Sequence, residues 1–231
     1  MLFTYPYSMM GRHAQVTSKV HDEIRFRSSQ REVRRGAKFY LQGDSANELL
    51  LIVSGHIKVT MTSREGRNVL LSVHGPGEFV GETDLLNDDR RTSSAFALTT
   101  PTEVLALDRR SFEELFATDL DFAAVVSRSL ARKMSEARSR QLELSVDSVS
   151  GRVARRLCDL QERFGVQRCD HIEMKIPITQ QELADWSGVS RQAVVKEFGA
   201  LRESRLIQTR GSHLTLLDYG AIVERSQGQE K

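Results

Sequence analysis

The rhythm of apolar and polar positions changes twice along the chain. Between residues 33 and 107, short apolar runs alternate with glycine-bearing turns. Phe39-Tyr40-Leu41 meets Gln42-Gly43-Asp44, and Leu49-Leu50-Leu51-Ile52-Val53 stops at Ser54-Gly55. Residues 56–62 alternate, with Ile57, Val59 and Met61 on one face. Arg64-Glu65-Gly66-Arg67 suits a hairpin tip, residues 68–73 return, Gly75-Pro76-Gly77 turns, and runs at 96–98 and 104–107 complete the series. Short strands at near-regular spacing predict an antiparallel barrel or jelly roll. From 120 to 150 there is neither Gly nor Pro, and Phe122, Val126, Leu130, Met134, Ala137 and Leu144 recur at helical spacing, with Ser129, Lys133 and Gln141 as polar breaks. That pattern predicts one helix of about 25 residues or more, nearly 40 Å long. Its apolar stripe needs a partner. A second copy lying parallel supplies one, and the chain's own domain can cover the first half.

The last region is built from shorter helices and a hairpin. Asp147-Ser148 is a cap signal before a helix over residues 149–164. Residues 179–201, TQQELADWSGVSRQAVVKEFGAL, read as two short helices joined by a tight turn. Thr179 and Glu182 form an S/T-x-x-E capping box. Leu183 and Trp186 give the first helix an apolar side, and Gly188 can supply the positive φ of the turn. Ser190 caps the second helix, whose buried face carries Val194, Phe198 and Leu201. Arg191, Gln192 and Lys196 lie on the opposite face near its start, where a helix-turn-helix places residues that reach base edges. The spacing also suits an αα-hairpin with solvated charges. Residues 206–209 and 214–217 around Arg210-Gly211-Ser212-His213 read as strand, turn, strand, the wing of a winged helix, with Arg210 placed for a phosphate or minor-groove contact. A short helix is expected over 219–225, and residues 20–26 suit another.

Composition narrows the class. The chain has 231 residues, 39% hydrophobic and 28% charged, which fits a folded protein of one large or two ordinary domains. No apolar run approaches the roughly 18 residues of a membrane helix. The opening MLFTYPYSMMGRHAQ lacks the layout of a secretory leader, and two cysteines, Cys158 and Cys169, are too few for a disulfide framework, so a reducing cytoplasm is the expected compartment. Net charge is +2, and from Ser148 onward there are 13 Lys+Arg against 11 Asp+Glu. Any DNA binding must rest on local placement of charge.

A second informative stretch is residues 77–95, GEFVGETDLLNDDRRTSSA. Gly81 allows close backbone approach, Glu82 can accept from a sugar hydroxyl, Arg91 can meet a phosphate bidentately, and Thr92 or Ser93 adds a hydroxyl donor. These are the parts of a small anion pocket. By spacing alone, a surface loop with an Arg–carboxylate pair fits them as well.

The order of parts resembles the cyclic-AMP receptor protein and fumarate-nitrate regulator family of bacterial transcription factors. The resemblance covers about residues 30–220 and rests on GEFVGE (77–82), RRTSSA (90–95), DSVSGRVARRL (147–157) and ITQQELADWSGVSRQAVVKEFGALRE (178–203). It implies an α+β fold: an N-terminal antiparallel β-roll of the cyclic-nucleotide-binding kind with a helical segment (1–119), a long dimerisation helix (120–147) and a C-terminal winged helix-turn-helix (148–231). It implies a homodimer on double-stranded DNA with a palindromic operator, and leaves room for contact with RNA polymerase. Gly81, Glu82, Arg91 and Thr92 would form the effector pocket, with cyclic AMP as the effector and no cofactor required. Thr179, Gln180, Ser190, Arg191, Gln192, Lys196 and Arg210 would meet DNA. Arg191 suits guanine, and Gln192 suits adenine better than cytosine. The family's adenine-contacting Thr-Ser pair falls at Ala137 and Arg138, a departure that bears on cyclic-AMP recognition.

Rival chemistries find less support. No cysteine cluster suits an iron–sulfur sensor. His13, His21 and His74 lack companion ligands at metal spacing, so no metal site is expected. Cys158, flanked by Leu157 and Leu160, reads as a helix-core thiol, although a redox-responsive or effector-independent regulator of the same fold stays open. No nucleophile elbow, P-loop or H-E-x-x-H motif is present, so no catalysis is expected. A cyclic-nucleotide-binding regulatory subunit without DNA binding is the alternative of another class.

Overall fold

The structure is a computed structural model that describes residues 17–87 and 90–228. His13 lies outside the described residues. Helix α1 (Ser18–Arg27) precedes strands β1 (Ser29–Val33), β2 (Lys38–Tyr40), β3 (Glu48–Ser54), β4 (Ile57–Thr62), β5 (Asn68–His74) and β6 (Phe79–Val80). A one-turn helix α2 (Glu82–Leu86) is followed by β7 (Ser94–Ala97), β8 (Thr102–Asp108) and α3 (Arg109–Thr118). Then come α4 (Leu120–Val146) and α5 (Val149–Phe164). The C-terminal part has β9 (Gly165–Gln167), β10 (Ile172–Lys175), α6 (Gln180–Ser187), α7 (Arg191–Glu203), β11 (Ile207–Arg210), β12 (His213–Leu216) and α8 (Tyr219–Ser226).

Two four-stranded antiparallel sheets, ordered β1-β8-β3-β6 and β2-β7-β4-β5, form the β-roll. Strand β3 explains why the run at 49–52 is continuously apolar. Leu50 and Ile52 point between the sheets with Tyr40, Ile57, Val80, Val104 and Ala106. Leu49 and Leu51 point the other way, onto a layer of helices with Val20, Ile24, Phe112 and Phe122. A strand covered on both faces needs apolar residues at every position. Phe122 anchors α4 to this layer, edge-on to Phe79 and Phe112 at centroid distances of 6.4 and 5.8 Å.

Helix α4 runs 27 residues and ends at Asp147, after which Ser148 accepts from Gly151 N to start α5. The apolar stripe expected on α4 divides. Phe122 and Val126 are buried against the roll, whereas Met134 and Leu144 are 54% and 57% exposed. A third sheet, β11-β12-β10-β9, completes the C-terminal part. Its core gathers Val153, Leu157, Leu160, Leu183, Trp186, Val194, Phe198 and Leu201, and joins Leu70, Val73 and Leu98 of the roll. The C-terminal part therefore packs on β5 through a continuous apolar contact.

Four elements lie outside the reading of the residues. Strand β1 begins before residue 33 and pairs with β8 from Ser29↔Ala106 to Val33↔Thr102. Helix α3 is capped by Asp108, whose side chain accepts from Ser111 N. Strands β9 and β10 form a hairpin of three and four residues, too short to leave a period in the sequence.

Candidate nucleic-acid interface and effector pocket

Helix α6 starts with the complete capping box. Glu182 N donates to Thr179 Oγ1 (3.1 Å) and Thr179 N donates to Glu182 Oε2 (2.8 Å). Gly188 ends it in the left-handed region at φ 65°, and a Cβ there would strike Leu144 of α4. Ser190 caps α7 by accepting from Ala193 N at 3.1 Å. Val194, Phe198 and Leu201 turn inward, which leaves Arg191, Gln192, Val195 and Lys196 on the solvent side. Thr179 and Gln180 are exposed at the α6 N-terminus, where backbone N–H groups suit a phosphate. Arg210 is exposed at the end of β11, beside the Gly211 turn of the wing. Arg191, Gln192, Lys196 and Arg210 make no side-chain hydrogen bond or ion pair with any described residue. The seven positions expected at DNA thus fall on one module, with their polar ends free or serving as caps.

The other side of α6 is engaged. Glu182 pairs with Lys58, and Asp185 pairs with Arg67, both from the β4–β5 hairpin. Burial would raise the Glu182 carboxyl, but the bonds from Lys58 and from Thr179 N hold it below the usual range. The Trp186 ring lies beneath the guanidinium groups of Arg140 and Arg156, at 5.9 and 5.4 Å. Arg140 also donates to Leu71 O, and Arg156 pairs with Glu143 and, at 2.7 Å, with Asp159. The His56 ring packs on Phe164 at 4.4 Å, and burial together with Arg163 lowers its pKa to about 4.

Gly81, Glu82, Arg91 and Thr92 also converge, and most of their polar groups are engaged within the fold, while Arg91 Nε and Glu82 Oε2 are buried without a hydrogen-bond partner among the described residues. Gly81 has φ 98°, and a side chain on it would collide with the Arg91 guanidinium. Arg91 is 2% exposed; it donates to Gly81 O (2.9 Å) and to Glu48 O, and covers the Tyr40 ring at 4.1 Å. Glu82 is fully buried. Lys133 Nζ lies 2.7 Å from its Oε1, and Ser129 Oγ donates to the same oxygen at 3.0 Å. Burial opposes the Glu82 charge, and Lys133 overcomes that, so its pKa lies below normal. Thr92 donates through Oγ1 (2.8 Å) and N (3.3 Å) to Asp84 Oδ1, while Asp84 Oδ2 stands 3.8 Å from Arg91 Nη1.

Three members of this cluster lie outside the motif reading. Ser129 and Lys133 show in the sequence only as polar breaks one turn apart on α4, and Asp84 as one of several acidic residues between the motifs. Ala137 and Arg138, the positions corresponding to the family's adenine contacts, are exposed. His74 uses both ring nitrogens, with Glu78 at 2.7 Å and Ser72 at 2.9 Å. Cys158 is half-buried, its thiol pushed up to about 11 by burial and by Asp159.

Residues 30–119 match the family described as cyclic nucleotide-binding domain, and residues 151–225 the Crp-like helix-turn-helix domain. A CRP-like cAMP-activated global transcriptional regulator of Mycobacterium tuberculosis is 30% identical over 195 residues, 84% of this chain and 86% of that protein. The chain belongs to the CRP/FNR family. The cAMP-activated global transcriptional regulator CRP of Salmonella typhimurium is 29% identical over 180 residues, 78% of this chain and 84% of that one. Among solved structures, TTHB099, a CRP-family transcriptional regulator from Thermus thermophilus, has 26% identity and a TM-score of 0.73, covering 85% of this chain and 96% of its own. These CRP/FNR relatives are transcription regulators rather than enzymes. In this member, the α+β architecture of β-roll, long helix and winged helix-turn-helix is the family's. No helix among the described residues is long and apolar enough to cross a membrane.

Proposed function

We propose that this CRP/FNR-family chain is a cytoplasmic, homodimeric regulator that binds a palindromic DNA operator. The observation that carries the reading is the exposed, unpaired row Arg191, Gln192 and Lys196 on α7, flanked by the Thr179-Gln180 helix start and Arg210 of the wing. Arg191 reads guanine through O6 and N7, Gln192 reads adenine through N6 and N7, and Lys196 adds a positive contact one turn later. Arg210 and the α6 N-terminus hold phosphates and fix the register.

The dimer reading is supported by α4. Ala123, Ser127, Leu130, Met134, Ala137, Gln141 and Leu144 follow one another at alternating steps of four and three. That is a heptad seam, and most of it lies open to solvent, with small residues that let two helices approach closely. Two copies joined there would present two recognition helices about one helical turn apart, ~34 Å.

Cyclic AMP as the effector is suggested by the names of the relatives and by Glu82 and Arg91. The pocket as folded fits a cyclic phosphate poorly: both terminal nitrogens of Arg91 bond backbone carbonyls, and Asp84 occupies Thr92. That observation favours the second reading, in which operator binding proceeds without a cyclic nucleotide. The test is selection of operators from random duplexes, followed by mobility shifts with wild type and Arg191→Ala and by sedimentation of the free chain. The reading expects a dimer that selects a two-fold symmetric site. A monomer indifferent to every duplex at low salt would end it.

A further inference from the structure

We infer that Asp84 is the specificity-determining residue of the β-roll pocket: its carboxylate holds the place of a phosphate and shuts cyclic nucleotides out. The inference rests on reading Gly81, Glu82, Arg91 and Thr92 as the effector pocket. A site that binds an anion needs donors turned toward the ligand and free to meet it. Here the Thr92 hydroxyl and amide both donate to Asp84 Oδ1, at 2.8 and 3.3 Å. Asp84 Oδ2 lies 3.8 Å from Arg91 Nη1, with both side chains almost fully buried. A carboxylate accepting from a hydroxyl and an amide beside a guanidinium is the arrangement a phosphate oxygen would adopt.

The charge balance points the same way. Glu82 is matched by Lys133 at 2.7 Å, so that pair is neutral as a unit. Arg91 is then the cation nearest Asp84, and it is covered by the Tyr40 ring. A cyclic phosphate brought to Arg91 and Thr92 would set a second anion against Asp84, in a site where burial strengthens the repulsion. It would also have to take both Thr92 donors from Asp84, which stands on α2 two residues from Glu82. Neither Ala137 nor Arg138 enters this balance. The departure that matters for the phosphate therefore lies at position 84.

The experiment is calorimetry of the full-length chain with cyclic AMP, comparing wild type, Asp84→Ser, Asp84→Asn and the double variant Asp84→Ser with Arg91→Ala. Operator binding and thermal melts of the same proteins report the fold. Asp84→Asn keeps shape and an acceptor for Thr92 while removing the charge, so it covers the case in which the serine variant folds poorly. Wild type is expected to bind no tighter than about 1 mM, and Asp84→Ser at least about 100-fold tighter. Asp84→Asn should fall between them, and the double variant should return to the wild-type level. Micromolar binding by wild type that both single variants leave within about threefold would overturn the inference. So would folded single variants that still bind no cyclic AMP. Loss of operator binding in every protein, wild type included, would count against the DNA reading and leave the calorimetric result standing.

Discussion

Arg191 and Arg91 are the same residue type in opposite circumstances. On α7, Arg191 stands in solvent with no side-chain partner among the described residues, and Lys196 and Arg210 share that condition. In the roll, Arg91 is buried, bonded to two backbone carbonyls, faced by Asp84 and covered by Tyr40. An exposed unpaired cation keeps its whole hydrogen-bonding capacity for a ligand. A buried cation whose two terminal nitrogens are already bonded has given most of that capacity to the fold. The comparison teaches that matching motif residues is insufficient evidence for a binding site. What matters is whether their polar atoms are still free.

The sharpest stability test attacks the closed side. Lys133→Met removes the ammonium from a fully buried Glu82 and should destabilise the chain by about 3 kcal/mol, the low end for a buried pair because Lys133 is itself partly exposed. Chemical denaturation reads this directly, and a loss under about 0.5 kcal/mol would mean the pocket is wetter than described. Truncating Arg191 attacks the open side. Arg191→Ala should cost about 1–3 kcal/mol of operator affinity, confined to one base pair in each half-site, with folding stability unchanged. An equal loss on every sequence would make Arg191 a phosphate contact.

The smallest effect concerns pH. His56, packed on Phe164, titrates at about 4 in the folded chain and near its ordinary value when unfolded. Between those values the unfolded chain holds the extra proton. This contribution is therefore present above the unfolded pKa and is lost as pH falls. With allowance for the ring's partial exposure, about 1 kcal/mol should disappear between pH 7 and pH 5. Buried His74 shifts in the same direction, through burial first and Lys133 second. His56→Gln should flatten part of the slope, and an unchanged slope would remove His56 from the account.

How much the residues disclose follows from how local each feature is. Capping boxes, N-cap serines and the inward face of α7 each involve residues within one or two turns, so Thr179, Glu182, Ser190, Val194, Phe198 and Leu201 could be placed from spacing alone. The continuous apolar run of β3 was readable as a strand, but its two covering layers come from α1, α3, α4 and the opposing sheet. The pocket was readable as a set of residues and not as a state. Ser129 and Lys133 reach Glu82 across more than forty positions, and no local pattern says that Asp84 turns inward. Trp186 belongs to the apolar side of α6, as its position suggested. Its placement under Arg140 and Arg156 brings α4, α5 and α6 together, a long-range contact that no local pattern discloses.

The most direct test is operator affinity of the wild-type chain measured with and without saturating cyclic AMP, at one fixed salt concentration. The same affinity is predicted in both titrations, because the reading surface is open and the β-roll pocket is closed by Asp84. A saturable rise of about tenfold or more on adding cyclic AMP, a coupling of about 1.4 kcal/mol, would contradict it.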